Sequence, residues 1–219
     1  MLTGRGFDSR NCHKLLNIMK PLHLIAGKDP IRPNIGYLQI RNGFVYVTNA
    51  WAAIKIPTCE VFGDGVIADS EELYIDAEQW AASKLHSETV IMRTYNTLRG
   101  VKSKLSVQML TPEEFIEAAQ GRYPDVETVL PAEDKPLGAV EYIGLNPMLL
   151  ADVYKALKFD TKKFSERICL GFEASNRAIR ITHPDMIAGT RVILMPLAFD
   201  EYVAPLQPTF VEDNIDDLL

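Results

Sequence analysis

Gly121-Arg122-Tyr123-Pro124-Asp125-Val126-Glu127-Thr128-Val129-Leu130-Pro131 divides this chain into a longer part and a shorter one. Pro124 holds Tyr123 extended, and Pro131 stops whatever precedes it. Val126, Val129 and Leu130 favour burial. The segment is therefore expected to be a stiff, partly buried crossing and not a flexible linker.

Before it, the pattern alternates between helix and strand. Asp8 or Ser9 caps an expected helix with Cys12, Leu15, Leu16 and Met19 on its apolar face and Arg10, His13, Lys14 and Asn17 on the other, ended by Pro21. No acid lies between Ser9 and Lys28, so this helix and Lys20 form a basic stretch. Tyr37–Arg41 and Phe44–Thr48 flank Asn42-Gly43, the dipeptide that best tolerates the two positive φ angles of a tight hairpin. Thr48–Ile54 is expected to run on past the hairpin, with Lys55-Ile56-Pro57 closing the unit. A short strand at Leu73–Ile75 then leads into a helix started by Asp76 and Gln79, carrying Trp80, Ala81 and Leu85 inward and Lys84 outward. Strands are expected at 89–94, 98–102 and 104–110, and a short helix from Pro112 to Ala119.

Beyond the crossing, Asn146-Pro147 opens a helix with Leu149, Leu150, Val153 and Leu157 on one side and Asp152, Lys155 and Lys158 opposite. Strands at 168–173, 178–182 and 191–197 follow. The fold class is α+β, built from repeated helix-plus-antiparallel-sheet units. Residues 1–120 form a complete domain of two such units, 121–131 the connector, 132–200 a shortened second domain and 201–219 an acidic tail.

Composition narrows the function classes. The 219 residues are 47% apolar and 24% charged, an ordinary globular balance, and the net charge of −6 argues against a surface basic all round. No stretch approaches a membrane span, and Met1–Phe7 has no apolar signal region, which points to the cytoplasm. Three scattered cysteines fit free thiols, and the four histidines show no metal-ligand spacing, so neither cofactor nor metal is expected. No phosphate-binding glycine loop or nucleophile motif stands out. Nothing singles out an enzyme.

The crossing resembles a phrase of the bacterial DNA polymerase III beta subunit, the sliding clamp, of the form Gly-Arg-Phe-Pro-Asp-Tyr followed by Val-Leu-Pro. Phe44–Trp51 stands where that family has a strand ending in Ala-Thr-Asp-Gly-His-Arg-Leu. Ile143–Leu157 resembles its Gly-Phe-Asn to Leu-Leu-Asp-Val-Leu-Lys-Ala-Leu helix, and Arg191–Leu197 its closing Tyr-Val-Val-Met-Pro-Met-Arg-Leu. The resemblance spans residues 8–199 and implies a DNA-clamp-like fold with helices inside and sheets outside. Departures are clear: the arginines of Asp-Gly-His-Arg-Leu and Met-Pro-Met-Arg-Leu are missing, the first domain has no counterpart, and the last is halved.

From this resemblance follow two sets of expected site residues. Arg10, Lys14, Lys20, Lys84, Lys155 and Lys158 would meet the phosphates of duplex DNA without reading bases. Thr48, Ala50, Trp51, Ile54, Ile193, Met195, Pro196 and Leu197 would line an apolar groove for short motifs of DNA polymerase or other clamp-binding proteins. Three helical units per chain would need about four chains, in a head-to-tail homo-oligomer, to close a ring. The alternative is a clamp-like interaction module, of phage or mobile-element type, that does not encircle DNA. An enzyme with a site assembled only by the fold ranks third. The tail ends in Asp217-Leu218-Leu219, similar to clamp-binding motifs, and is expected either to dock in that groove or to remain a solvated acidic segment.

Overall fold

A computed structural model of the chain describes residues 21–88, 90–101, 105–131, 138, 143–157, 168–174, 177–183, 186 and 188–197. The expected first helix with Arg10, Lys14 and Lys20, together with Lys158 and the tail 201–219, lies outside the described residues.

The Asn42-Gly43 hairpin forms as its dipeptide requires, with φ of 53° and 77°, joining β1 (Tyr37–Arg41) to β2 (Phe44–Thr48). Thr48–Ile54 does not run on. The chain reverses at Asn49-Ala50-Trp51, and β3 (Ala52–Pro57) pairs back along β2 from Thr48↔Ala53 to Phe44↔Pro57. The reversal has no Gly or Pro to announce it, because side-chain hydrogen bonds hold it together. A short helix, α1 (Thr58–Phe62), also carries no strong sequence signal and forms by burying Val61 and Phe62.

The next unit follows the expected plan. β4 (Leu73–Asp76) pairs with β1, and the Asp76 carboxylate accepts from Gln79 N at 2.9 Å to start α2 (Ala77–Ser83). Lys84 ends that helix at φ 57°. β5 (Ile91–Thr94), β6 (Thr97–Gly100) and β7 (Ser106–Leu110) form a meander, and β7 returns to pair with β4. The helix α3 (Pro112–Ala119) has a full capping box between Thr111 and Glu114.

Past the connector, α4 (Pro147–Leu157) starts where Asn146 Oδ1 accepts from Met148 N at 2.9 Å. β8 (Cys169–Gly171), β9 (Ile179–Thr182) and β10 (Arg191–Leu194) complete a second meander. Gly144, just before α4, bridges to Leu197, just after β10, as β4 pairs with β7 around α2. The two units thus share one connectivity.

The ten strands of the described residues lie in one antiparallel sheet, in the order β5-β6-β7-β4-β1-β2-β3-β10-β9-β8. The period of two sorts side chains between its faces. Leu38, Ile40, Val45, Val47, Ile54, Ile75, Val192 and Leu194 meet α1, α2 and α4, with Trp80 and Phe62 edge-to-face at 5.7 Å. Tyr46, Ala53, Tyr74 and Ile193 meet α3 and the connector. One face is therefore covered by α1, α2 and α4, and the other in part by α3 and the connector.

Candidate functional site

The β3–β10 seam is where the two halves of the chain share a sheet, with Arg191↔Lys55 at one end and Leu194↔Ala52 at the other. At its open end, Met195 N donates to Trp51 O at 2.7 Å and Leu197 N to Gly144 O at 3.0 Å. The Asn49-Ala50-Trp51 turn is preorganised there. Thr48 Oγ1 accepts from Ala50 N at 3.0 Å, and Asn49 Oδ1 accepts from Trp51 N at 3.0 Å and Ala52 N at 2.8 Å. These bonds hold Ala50 at φ 72°, a region that costs a residue with a Cβ about 1 kcal/mol or more. The consequence is an indole fixed at the surface: Trp51 is 52% exposed and Leu197 40% exposed, with Met195 and Pro196 half-buried.

Of the eight residues expected to line an apolar groove, Ala50, Trp51, Met195, Pro196 and Leu197 come together at this seam. The other three are interior. Ile54 packs under the helices, Ile193 faces the aromatic cluster on the opposite side, and Thr48 is buried with its hydroxyl donating to Ala52 O at 2.8 Å.

The connector is held to the sheet beside this seam. The Tyr123 hydroxyl lies 3.2 Å from the carbonyl oxygens of both Tyr37 and Tyr46, and Asn34 Nδ2 donates to Arg122 O at 2.6 Å. Arg41 reaches Asp125 at 3.5 Å. The Glu127 carboxylate accepts from Tyr46 at 2.6 Å and from Lys55 at 2.5 Å. Burial works to raise the Glu127 pKa, but these two hydrogen bonds and the charges of Lys55 and Arg191 outweigh it and leave it lowered. Burial and the contact with Glu127 push the Tyr46 phenol up. Tyr74, buried and donating to Glu72, is pushed up to about 12. Polar chemistry here fastens the connector. Sequence reading singled out the connector but not this network, whose partners are 72 to 88 positions apart.

The helix-covered face carries mixed charge. Lys84 and Lys155 are both exposed there, and Lys155 lies 3.5 Å from Asp152. A cleft of about 490 Å³ between the 22–28 segment, α2 and α4 is lined by His23 and Lys28 but also by Asp76, Glu78 and Asp152. His23 and His86 pack with ring centroids 4.9 Å apart, and burial, then the charges of His86 and Lys28, lowers the His23 pKa to about 4. Among the described residues, no group of His, Cys, Asp and Glu could hold a metal ion, and no helix is long and apolar enough to cross a membrane.

No protein-family model matches the sequence, and no curated protein matches it. Solved structures do. DNA polymerase III subunit beta from Borrelia burgdorferi superposes with a TM-score of 0.53 at 10% identity, over 90% of this chain and 67% of its own. The beta subunit from DNA polymerase of Streptococcus pyogenes gives 0.52 at 11% identity, over 91% and 68%. The DNA polymerase sliding clamp from Pseudomonas aeruginosa gives 0.50 at 12% identity, over 90% and 69%. The chain has the sliding-clamp fold and spans about two thirds of the length of these structures.

Proposed function

We propose that this chain acts as a sliding-clamp-like protein that lies along or around duplex DNA without reading sequence and tethers a polymerase or another replication or repair protein. The work is binding, not catalysis. The observation that carries the reading is the fold, with α1, α2 and α4 on one face of a continuous sheet, as a wall around DNA would need, and α3 on the other. The docking surface is the seam patch of Trp51, Met195, Pro196 and Leu197, flanked by Ala50. Ile54 and Ile193 contribute through the strands that carry the patch, packed on opposite faces of the sheet, and Thr48 through the turn it helps to hold. In this reading residues 1–120 and 132–200 act as a whole and a shortened clamp domain, and the protein works in the cytoplasm.

Affinity for DNA would come from Lys84 and Lys155 together with Arg10, Lys14, Lys20 and Lys158. Because phosphate contacts release counterions, such binding falls steeply with salt. Reversing Lys14, Lys155 and Lys158 to Glu together is expected to abolish duplex binding measured by anisotropy at low salt. Equal binding by wild type and triple variant would refute the role of these lysines. Peptide binding is tested separately, with a fluorescent peptide containing Gln-Leu-Asp-Leu-Phe titrated against wild type and Trp51→Ala.

A second reading, a clamp-like module that docks partners without encircling DNA, is favoured by one observation: Asp76, Glu78 and Asp152 offset the bases on the described helix face. Peptide binding without any salt-sensitive DNA binding would select it.

A further inference from the structure

Residues 198–219 follow directly from the seam, after Leu197, and carry six acids with no Lys or Arg. Within them, Asn214-Ile215-Asp216-Asp217-Leu218-Leu219 places Ile215, Leu218 and Leu219 at i, i+3 and i+4, the spacing that puts three apolar side chains on one face of a helical turn. Asn214 is a favoured N-cap residue, and Asp216 and Asp217 fall in the turn that follows it, where the helix dipole suits acids. So short a segment does not hold a helical turn alone in water and needs a surface to form on. The seam supplies one. Trp51 and Leu197 are 52% and 40% exposed, and Met148, 64% exposed, stands four residues past Gly144, the residue that bridges to Leu197. A cation borders the same turn: exposed Lys28 follows Gly27, whose N donates to Thr48 O at 3.2 Å, while neighbouring Asp29 is turned to Arg32 at 2.8 Å.

We propose that residues 214–219 dock on the seam patch of their own chain, with Ile215, Leu218 and Leu219 against Trp51, Met195 and Leu197, and with Asp216 and Asp217 toward Lys28 and solvent. The contact is an autoinhibitory one and rests on the reading of the seam as the docking surface: an outside partner has to displace the tail. Reach is ample, since 20 residues separate Leu197 from Leu218 and each spans up to about 3.3 Å when extended. Pro205 and Pro208 disfavour one uninterrupted element across that interval, which lets the chain double back. Tethering holds the segment at an effective concentration of about the millimolar range, so a contact of three apolar side chains competes with a partner that binds much better when untethered.

Trp51 reports the contact without any added partner, because Trp80, the other tryptophan of the chain, is fully buried. In acrylamide quenching of the full chain, Leu218→Asp combined with Leu219→Asp is expected to make the fluorescence easier to quench and to shift it to the red, while Phe210→Asp leaves both as in wild type. Equal quenching of wild type and the double variant would overturn the proposal. Loss of protection in Phe210→Asp would put another part of the tail on the indole, and protection that fades on dilution would put the tail on another copy; either result overturns it. The fluorescent peptide containing Gln-Leu-Asp-Leu-Phe is expected to bind the double variant several-fold more tightly than wild type. If the double variant uncovers Trp51 but neither chain takes the peptide, the tail contact stands and the docking of outside partners fails. If both chains bind the peptide equally and Trp51→Ala weakens it, the docking surface stands and the tail proposal falls.

Discussion

Tyr123 offers two perturbations whose difference measures how the connector is anchored. Replacing it by Phe removes one hydroxyl proton shared between the carbonyl oxygens of Tyr37 and Tyr46, both at 3.2 Å, while the ring stays in place. A neutral hydrogen bond contributes about 0.5–1.5 kcal/mol net, so the expected loss is about 1 kcal/mol. Replacing it by Ala also removes a buried ring that packs with centroids 6.1 Å from Tyr74 and 6.2 Å from Phe115. Truncating a buried aromatic costs about 3–5 kcal/mol. At about 2–4 °C per kcal/mol for a chain of this size, Tyr123→Phe should lower Tm by about 2–4 °C and Tyr123→Ala by about 6–20 °C. Urea and thermal unfolding read both. Limited trypsinolysis adds a local reading: cleavage after Arg122, whose carbonyl is held by Asn34, should accelerate in Tyr123→Ala and stay slow in Tyr123→Phe. If Tyr123→Ala costs less than about 1 kcal/mol and leaves Arg122 protected, the connector is not anchored by this side chain and the reasoning fails.

Further predictions concern pH, strain and the seam. Glu127 has a lowered pKa in the folded chain, so its contribution is present above the ordinary carboxylate value of 4.5 and is lost as pH falls through the folded value; Glu127→Gln should differ from wild type in urea unfolding at pH 7 and match it in strong acid. His23 behaves oppositely in origin but also favours neutrality of the medium. Its folded pKa of about 4 against 6.5 means the unfolded chain takes up the proton first, so stability falls as pH drops from 6.5 towards 4. His86 and Lys28 raise that cost, whereas Asp76, Glu78 and Asp152 line the same cleft, and His23→Phe should flatten this limb of a pH–Tm profile. Lys84 sits at φ 57°, where Gly carries no Cβ penalty, so Lys84→Gly should raise stability by about 1 kcal/mol while weakening DNA binding; a fall in both would mean that the lysine side chain stabilises the turn. Trp51→Ala should leave Tm within about 2 °C and weaken the test peptide several-fold, since the indole is half exposed; unchanged peptide affinity would remove the seam as the docking surface.

By itself the sequence determined the local pieces whose energetics are contained within a few residues. Asn42-Gly43 specifies its hairpin because both positions tolerate positive φ, Asp76, Thr111 and Asn146 start their helices through contacts two or three residues away, and the alternation in β1 and β2 assigns opposite faces. Tyr123-Pro124 likewise announced a buried crossing. What only the tertiary structure decided depends on groups far apart in the chain. The reversal after Thr48 was hidden because Asn49 and Thr48 side chains replace the Gly or Pro that usually marks a turn. Whether Ile54, Ile193, Trp51 and Leu197 face core or solvent was decided when β10 docked on β3, about 140 residues away, because that pairing sets which edge of the turn remains uncovered. The partners of Glu127 and the place of β5 at the end of the described strand order belong to the same class, since pairing order in a sheet is a property of the assembled strands and not of any one of them.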